Sequence, residues 1–201
     1  MAVDLGTGDG RAVLTRAAAD PCTLVIGVDA AAAAMAESSR RADRRRVANV
    51  LFLAEGVERL ADTPLDAAAD LATVIFPWGS LARGVLGLDE AALAGIAAVL
   101  GPGGRLEVLV SVIPADHVDG LPSLTEAHTP TIASAWSDAG LRLTAMTPAT
   151  PADVAASGST WARRLRSGGG ATRPVWRLSG RRTAEGDATV AGWHGTSSSS
   201  A

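Results

Sequence analysis

Asp4-Leu5-Gly6-Thr7-Gly8-Asp9-Gly10-Arg11, close to the amino terminus, is the stretch that decides the fold. Val3-Asp4-Leu5 reads as the end of a strand and the alternating glycines as a tight turn, with a helix to follow over 11–19. Glycines at alternate positions let the backbone bend sharply and let a ligand come close to it. Downstream, the apolar run 23–28 closed by Asp29 suits a parallel strand buried on both faces. A helix over 30–42 follows, then a strand over 50–53 and another over 71–76 that ends abruptly at Pro77-Trp78-Gly79. Strands and helices alternate, so the sheet is parallel and wound on both sides.

The second half continues the pattern. The spacing predicts a helix over 88–100, with Asp89 as N-cap and Gly101-Pro102-Gly103-Gly104 as its stop. A strand over 105–112, a helix over 131–139 ended by Gly140, and strands beginning at Leu141 and over 175–179 complete six or seven strands. Such an open doubly wound sheet binds ligands beyond the carboxyl ends of its strands. A single domain over 1–182 accounts for all of this, and 183–201 is small and polar enough to read as a disordered tail.

Composition narrows the class. No long apolar stretch escapes interruption by Gly, Pro, Asp or Arg, so no membrane-spanning helix is expected. A chain that enters a strand and glycine turn within its first residues leaves no room for a secretion signal, which predicts a soluble cytoplasmic protein. Cys22 is the only cysteine; it forms no internal disulfide or Cys-based zinc cluster, and it reads as plain core near the start of a strand. No metal is expected. The net charge of −3 argues against coating nucleic acid by bulk charge, so any RNA-binding surface must be local.

The glycine turn could serve either of two cofactor classes. A nicotinamide or flavin site wants G-x-G-x-x-G, where the third glycine packs helix on strand and the helix N-terminus meets a pyrophosphate. Here Arg11 stands in that place, and Asp4 and Asp9 would repel a pyrophosphate. S-adenosylmethionine instead carries a sulfonium and an ammonium, to which carboxylates near the turn are complementary. Gly6, Thr7, Gly8, Asp9 and Gly10 then form the turn beneath it. Asp29, with Ala30 beside it, stands where ribose hydroxyls are accepted, and Glu58 near the adenine edge. The plain alternatives are Asp29 as a helix N-cap and Glu58 as a solvated helix residue.

Phe76-Pro77-Trp78-Gly79-Ser80 falls at the end of the fourth strand, where such enzymes present the target atom to the methyl group. It offers no side chain that accepts an amine proton. A ring nitrogen has no proton to lose, so stacking and positioning suffice for it. A second indole, Trp161, stands in Ser159-Thr160-Trp161-Ala162-Arg163-Arg164-Leu165. Two indoles can hold a flipped purine between them. Arg163, Arg164, Arg166, Arg173, Arg177, Arg181 and Arg182 follow one another against only Asp153, and Arg40, Arg41, Arg44, Arg45 and Arg46 against only Asp43. Both runs are expected on the strand-end face as a phosphate-binding footprint, their alternative being solvated charged surface.

With the glycine turn, these tryptophan motifs resemble those of the kanamycin-apramycin resistance methyltransferases, which modify N1 of adenine 1408 of 16S rRNA within the assembled 30S ribosomal subunit. The resemblance spans nearly the whole chain. It implies a class I, Rossmann-like methyltransferase fold: a doubly wound, mostly parallel seven-stranded sheet with helices on both faces. It also implies that Trp78 and Trp161 stack on the flipped adenine, that Ser159 supports that loop, and that Arg164 and Arg173 contact the rRNA backbone. Asp4, Asp29, Val57, Glu58, Ile75 and Ser80 would line the cofactor pocket, and the Arg40 to Arg46 run would dock on the subunit, with the protein acting as a monomer. Family members carry a further amino-terminal segment with an rRNA-holding hairpin, whereas this sequence begins just before Asp4. Trp136 and Trp176 match no family role and read as core; Trp193 falls in the tail. The competing readings are a methyltransferase of a small natural product, for which the arginines would be mere surface, and a truncated relative that binds rRNA without transferring methyl.

Overall fold

The computed structural model describes residues 1–118, 121, 123–160 and 173–184. Strand β1, Ala2–Leu5, is buried along its whole length because it lies near the middle of a seven-stranded sheet in which it pairs with β2, Val25–Asp29, and β4, Ala69–Ile75. The strand order is β3-β2-β1-β4-β5-β7-β6, with β3 at Val50–Ala54, β5 at Leu100–Val110, β6 at Leu141–Pro148 and β7 at Trp176–Arg182. β1 to β5 pair in parallel, and β7 runs antiparallel between β5 and β6. This is the doubly wound, mostly parallel arrangement that the alternation of elements predicts.

Register sorts the side chains onto two faces. Val25, Val50 and Phe52 meet helices α1, Arg11–Ala19, and α2, Ala32–Arg45, in one cluster built on Val13, Ala17 and Ala42. On the other face Val3, Leu5, Ile26, Val28, Val74, Leu106, Val108 and Leu178 pack against α3, Gly79–Val85, α4, Glu90–Ala98, and α5, Thr129–Asp138. Trp136 of α5 is fully buried there and donates Nε1–H to the Val85 carbonyl at 2.9 Å. Trp176 packs against the same core and donates to the Leu124 carbonyl at 3.0 Å, so both are the core residues the sequence indicates. Asp89 caps α4 as expected, accepting the Ala92 N–H at 3.0 Å.

Several boundaries depart from expectation. Gly101-Pro102-Gly103-Gly104 does not separate helix from strand: β5 starts at Leu100 and absorbs it, with a register shift against β4 between Ala69 and Leu71. A bulge tolerates glycines that a regular ladder would not favour. Cys22 is exposed in the turn before β2, held by an N–H bond to Asp20, and is not core. Order continues past residue 182, because Thr183 bonds the Gly140 carbonyl through both N–H and hydroxyl at 3.0 Å. The rest of the expected tail, 185–201, lies outside the described residues. Two helices, α3 and α6, Pro151–Ala156, stand where the sequence pattern predicts none. Among the described residues no helix is long and apolar enough to cross a membrane.

Replacing Trp136 by Phe removes the donor to the Val85 carbonyl and leaves a void at full burial. The expected loss is about 2–4 kcal/mol of unfolding free energy, read as a lowered urea midpoint at unchanged slope.

Candidate active site

The turn after β1 is held open by a carboxylate from the neighbouring strand. Asp29, at the end of β2, accepts the Gly8 N–H through Oδ2 and the Ala31 N–H through Oδ1, each at 2.8 Å. Gly6, Gly8 and Gly10 all have left-handed φ, at 71°, 57° and 70°, conformations that a residue with a Cβ adopts only with strain. Asp29 is thus neither free for a ligand alone nor the N-cap of α2, whose cap position is Ala31. It braces both turns, and it still lines the cleft they border.

That cleft, of about 470 Å³, opens at the carboxyl ends of β1, β2, β3 and β4. Asp4, Gly6, Thr7, Gly8, Asp9, Asp29 and Ala30 line it, as do Val57, Glu58, Ile75 and Ser80. These are the predicted cofactor residues, with one exception. Gly10 lies behind the turn, where an added Cβ would stand 2.6 Å from the Phe52 ring, so its role is to let α1 pack. Val57 and Glu58 begin a short 3-10 helix, Val57–Asp62, that leans on α4. At Gly95 of α4 any side chain would meet the Val57 carbonyl at 1.8 Å, and this bare helix face is what allows the wall its position. Glu55 and Gly56, which no motif marks, also line the cleft.

Asp4 is the buried charge of the site. Its Oδ1 accepts the Thr73 hydroxyl at 2.6 Å, and Thr7 Oγ1 faces it without closing a hydrogen bond. Burial pushes the Asp4 carboxyl above the ordinary aspartate value near 3.8, and the Asp29 charge adds to the rise; the Thr73 hydroxyl, the nearby Thr7 hydroxyl and the Arg16 charge pull the other way. A carboxyl buried with so little water favours a cationic partner, which would offset the cost of its charge.

At the mouth, Phe76, Pro77 and Trp78 form one wall and Ser157, Gly158, Ser159 and Thr160 another. Trp78 is 49% exposed, a large apolar side chain partly in solvent beside a cleft. Trp161, the partner expected for it, lies outside the described residues, as do Arg163, Arg164 and Arg166. Ser159 and Thr160, which lead to Trp161 in sequence, are at the mouth. A second groove of about 200 Å³ shares Pro77 and Trp78 and is lined by Ser111, Asp116 and His117. Arg173 is not a loose surface arginine: its Nε donates to Ser111 Oγ at 2.8 Å, and its Nη2 to the Ser111 carbonyl at 3.1 Å and to the Asp116 carboxylate. Ser111 and Asp116 had no motif to mark them.

The second basic run is not on the strand-end face. α2 starts at the carboxyl end of β2 and runs back, so Arg44, Arg45 and the left-handed C-cap Arg46 lie at the amino edge of the sheet, with Arg40 and Arg41 a turn above. Asn49, just beyond, bonds the carbonyls of Ala17, Asp20 and Thr23 at that same edge. All five arginines are exposed, and Glu37 pairs with Arg40 at 3.2 Å and Arg44 at 3.0 Å.

Residues 1–178 match the family model described as NpmA, 16S rRNA (adenine(1408)-N(1))-methyltransferase. A protein of that name from Streptoalloteichus tenebrarius is 33% identical over 180 residues, covering 83% of this chain and 80% of the relative. One from Escherichia coli is 27% identical over 191 residues, covering 89% and 85%. Among solved structures, a tryptophan-to-alanine variant of the Catenulisporales acidiphilia 16S rRNA (adenine(1408)-N(1))-methyltransferase, crystallised with its cosubstrate S-adenosylmethionine, superposes with a TM-score of 0.80 at 32% identity, covering 92% of this chain and 87% of that one. The 16S rRNA methyltransferase KamB does so with a TM-score of 0.80 at 31% identity, covering 90% and 87%.

The raised pKa of Asp4 makes a prediction for the ligand-free protein. A carboxyl whose folded-state pKa exceeds its unfolded value contributes stability at pH below the unfolded value, and that stability is lost as pH rises through the folded one. Asp4→Asn, which keeps an acceptor for Thr73, should therefore raise the Tm at neutral pH and flatten its fall above the usual aspartate range. A Tm at neutral pH below that of the wild type would show that the charge stabilises the empty site.

Proposed function

The chain belongs to the 16S rRNA (adenine(1408)-N(1))-methyltransferase family and is an S-adenosylmethionine-dependent rRNA methyltransferase of the aminoglycoside-resistance type, and we propose that its cleft aligns adenine N1 with the cofactor's methyl group by stacking. The observation that carries this assignment of residues is Trp78, half exposed at the mouth of a carboxylate-lined cleft. The site fits the cofactor in charge and in size. Asp4 faces positive charge, Asp29 offers acceptors to the ribose hydroxyls, and a volume of about 470 Å³ lies within the range of small-molecule sites. S-adenosylmethionine, when bound, supplies a methyl group on a positively charged sulfur, which leaves as the neutral thioether.

The residues of this chain then have separate tasks. Asp4 offsets positive charge at the floor, and Asp29 keeps the glycine turn in shape while its remaining lone pairs face the ribose. Glu58, Val57, Ile75 and Ser80 enclose the adenosine. Trp78 and Trp161 sandwich the extruded adenine, each stack contributing about 1–3 kcal/mol, and Ser159 supports the Trp161 loop. No general base is required, since N1 attacks through its own lone pair. Trp78, Trp161 and Ser159 act by holding the ring nitrogen in line.

rRNA recognition is divided by location. Arg173, pre-set by Asp116 and Ser111 beside the groove next to Trp78, meets the backbone near the target with the N–H groups its internal bonds leave over. Arg163, Arg164 and Arg166 extend that contact. Arg40, Arg41, Arg44, Arg45 and Arg46, on the flank of α2 toward the far edge of the sheet, serve a substrate large enough to reach round the protein, the assembled 30S subunit. The protein acts there as a cytoplasmic monomer. Methylation leaves a positive charge on the adenine ring, which repels cationic aminoglycosides.

Two experiments test this. Primer extension on 16S rRNA from cells expressing the chain should stop at adenine 1408; read-through in cells that contain the folded protein refutes the assignment. Trp78→Ala should lower methylation of 30S subunits at least tenfold, about the worth of one stack, while calorimetry finds S-adenosylmethionine affinity nearly unchanged. Equal loss of both would place the indole in the cofactor site instead.

A further inference from the structure

Residues 157–160, which line the same cleft as Trp78, follow directly on α6, and α6 is docked apart from the main core. Its Val154 packs in a separate cluster with Phe76 and Leu109, together with Ile75, Ala149 and Val175. Phe76 precedes Trp78 by two residues in the same turn. Its backbone is forced to a left-handed φ of 51°, its N–H bonds the Leu109 carbonyl at 2.7 Å, and its side chain is buried. One ring therefore joins the turn that carries Trp78 to the helix that residues 157–160 follow.

A second tie acts on the start of the same helix. Arg177 of β7 donates Nε–H and Nη2–H to Glu107 Oε2 of β5, at 3.3 and 3.1 Å, and Ser179 donates to that oxygen at 2.7 Å. Nη1 of Arg177 lies 3.8 Å from Asp153 of α6. Asp153 is also the reciprocal partner of Thr150, accepting its N–H at 2.8 Å and its hydroxyl at 2.7 Å. A helix of six residues has no stability of its own, so its place is set by what it docks on. Ion pairs this exposed contribute little to the folding free energy. Their effect is on position.

We propose that the Phe76 cluster and the Glu107–Arg177–Asp153 chain together form a positioning device that fixes the 157–160 wall against Trp78, so that Val154 and Arg177, neither of which lines the cleft, control how well the target base is received. The inference rests on the cleft being the adenine-methylation site. Arg177, counted by sequence density in the basic footprint, then acts through its pairing with Glu107 and Asp153 and not through phosphate.

Steady-state kinetics on 30S subunits, with calorimetry for S-adenosylmethionine and binding measured across salt concentrations, tests it on the full chain. Val154→Ala should lower kcat/KM for 30S subunits about tenfold or more, since small misplacements of a reacting pair are costly. Cofactor Kd should stay within about twofold, and Val154→Ile should recover most of the loss. Arg177→Gln should lower kcat/KM while the slope of log affinity against log salt is unchanged. The proposal is overturned if Val154→Ala keeps wild-type kinetics, or if cofactor affinity falls in step with turnover, as general unfolding of the site would cause. A salt slope reduced by about one unit in Arg177→Gln overturns it as well, making that side chain a phosphate ligand. Wild-type protein that binds cofactor but leaves 30S subunits unmethylated refutes the underlying assignment and not the docking of α6 alone.

Discussion

One carboxylate braces the ligand end of the sheet. Asp29 reaches from the end of β2 to the Gly8 and Ala31 N–H groups, and these two bonds join the turn after β1 to the turn before α2. Backbone donors left over at a strand end need partners, and here the Asp29 carboxylate accepts from both. With the donors satisfied by a side chain, three glycines can hold left-handed angles in succession, leaving open the space above Gly8, where an added Cβ would meet nothing within 4 Å. Everything else in the site is arranged around that space.

Against this rigid half stands a half assembled from loops. The Trp78 turn and the 157–160 segment belong to connections after β4 and between β6 and β7, and one apolar cluster of Phe76, Leu109 and Val154 lies between them. Division of labour follows from it. The half built on adjoining parallel strands suits a small cofactor whose shape is constant, while the half built on connections suits a macromolecule whose nucleotide must be admitted and released.

The alternation of strand and helix, the glycine turn and the Asp89 cap were legible because each is local: a period, a φ requirement or a single hydrogen bond fixes it. Most cofactor residues were legible for the same reason, being attached to strand ends whose order the pattern implies. Gly10 was misplaced because a glycine that serves a ligand and one that serves helix packing look alike until Phe52 is known to lie behind it. The Arg40 to Arg46 run was put on the wrong edge because local pattern does not show how far α2 travels back along the sheet. α6 could have been found, since Thr150-Pro151-Ala152-Asp153 carries the reciprocal capping pattern with proline at the first helical position. Arg173 and Arg177 looked alike as members of one basic run. Only the fold shows that Asp116 holds one and Glu107 the other, across gaps of 57 and 70 residues.

The cleft draws on five stretches of chain, from Asp4 at one end to Thr160 at the other, and no two neighbouring elements contain it. Such a site does not exist in fragments: it appears only once the whole sheet has closed, which makes its formation a late event among slow, long-range contacts. Occupancy by a ligand therefore draws on the same equilibrium as global folding, and abundant ligand in a cell acts as a thermodynamic chaperone for the entire chain. Mutations scattered through the distant layers of the protein should consequently erode drug tolerance in a bacterium through the amount of intact protein present, in a threshold-like manner, even when every side chain that meets the nucleotide is untouched.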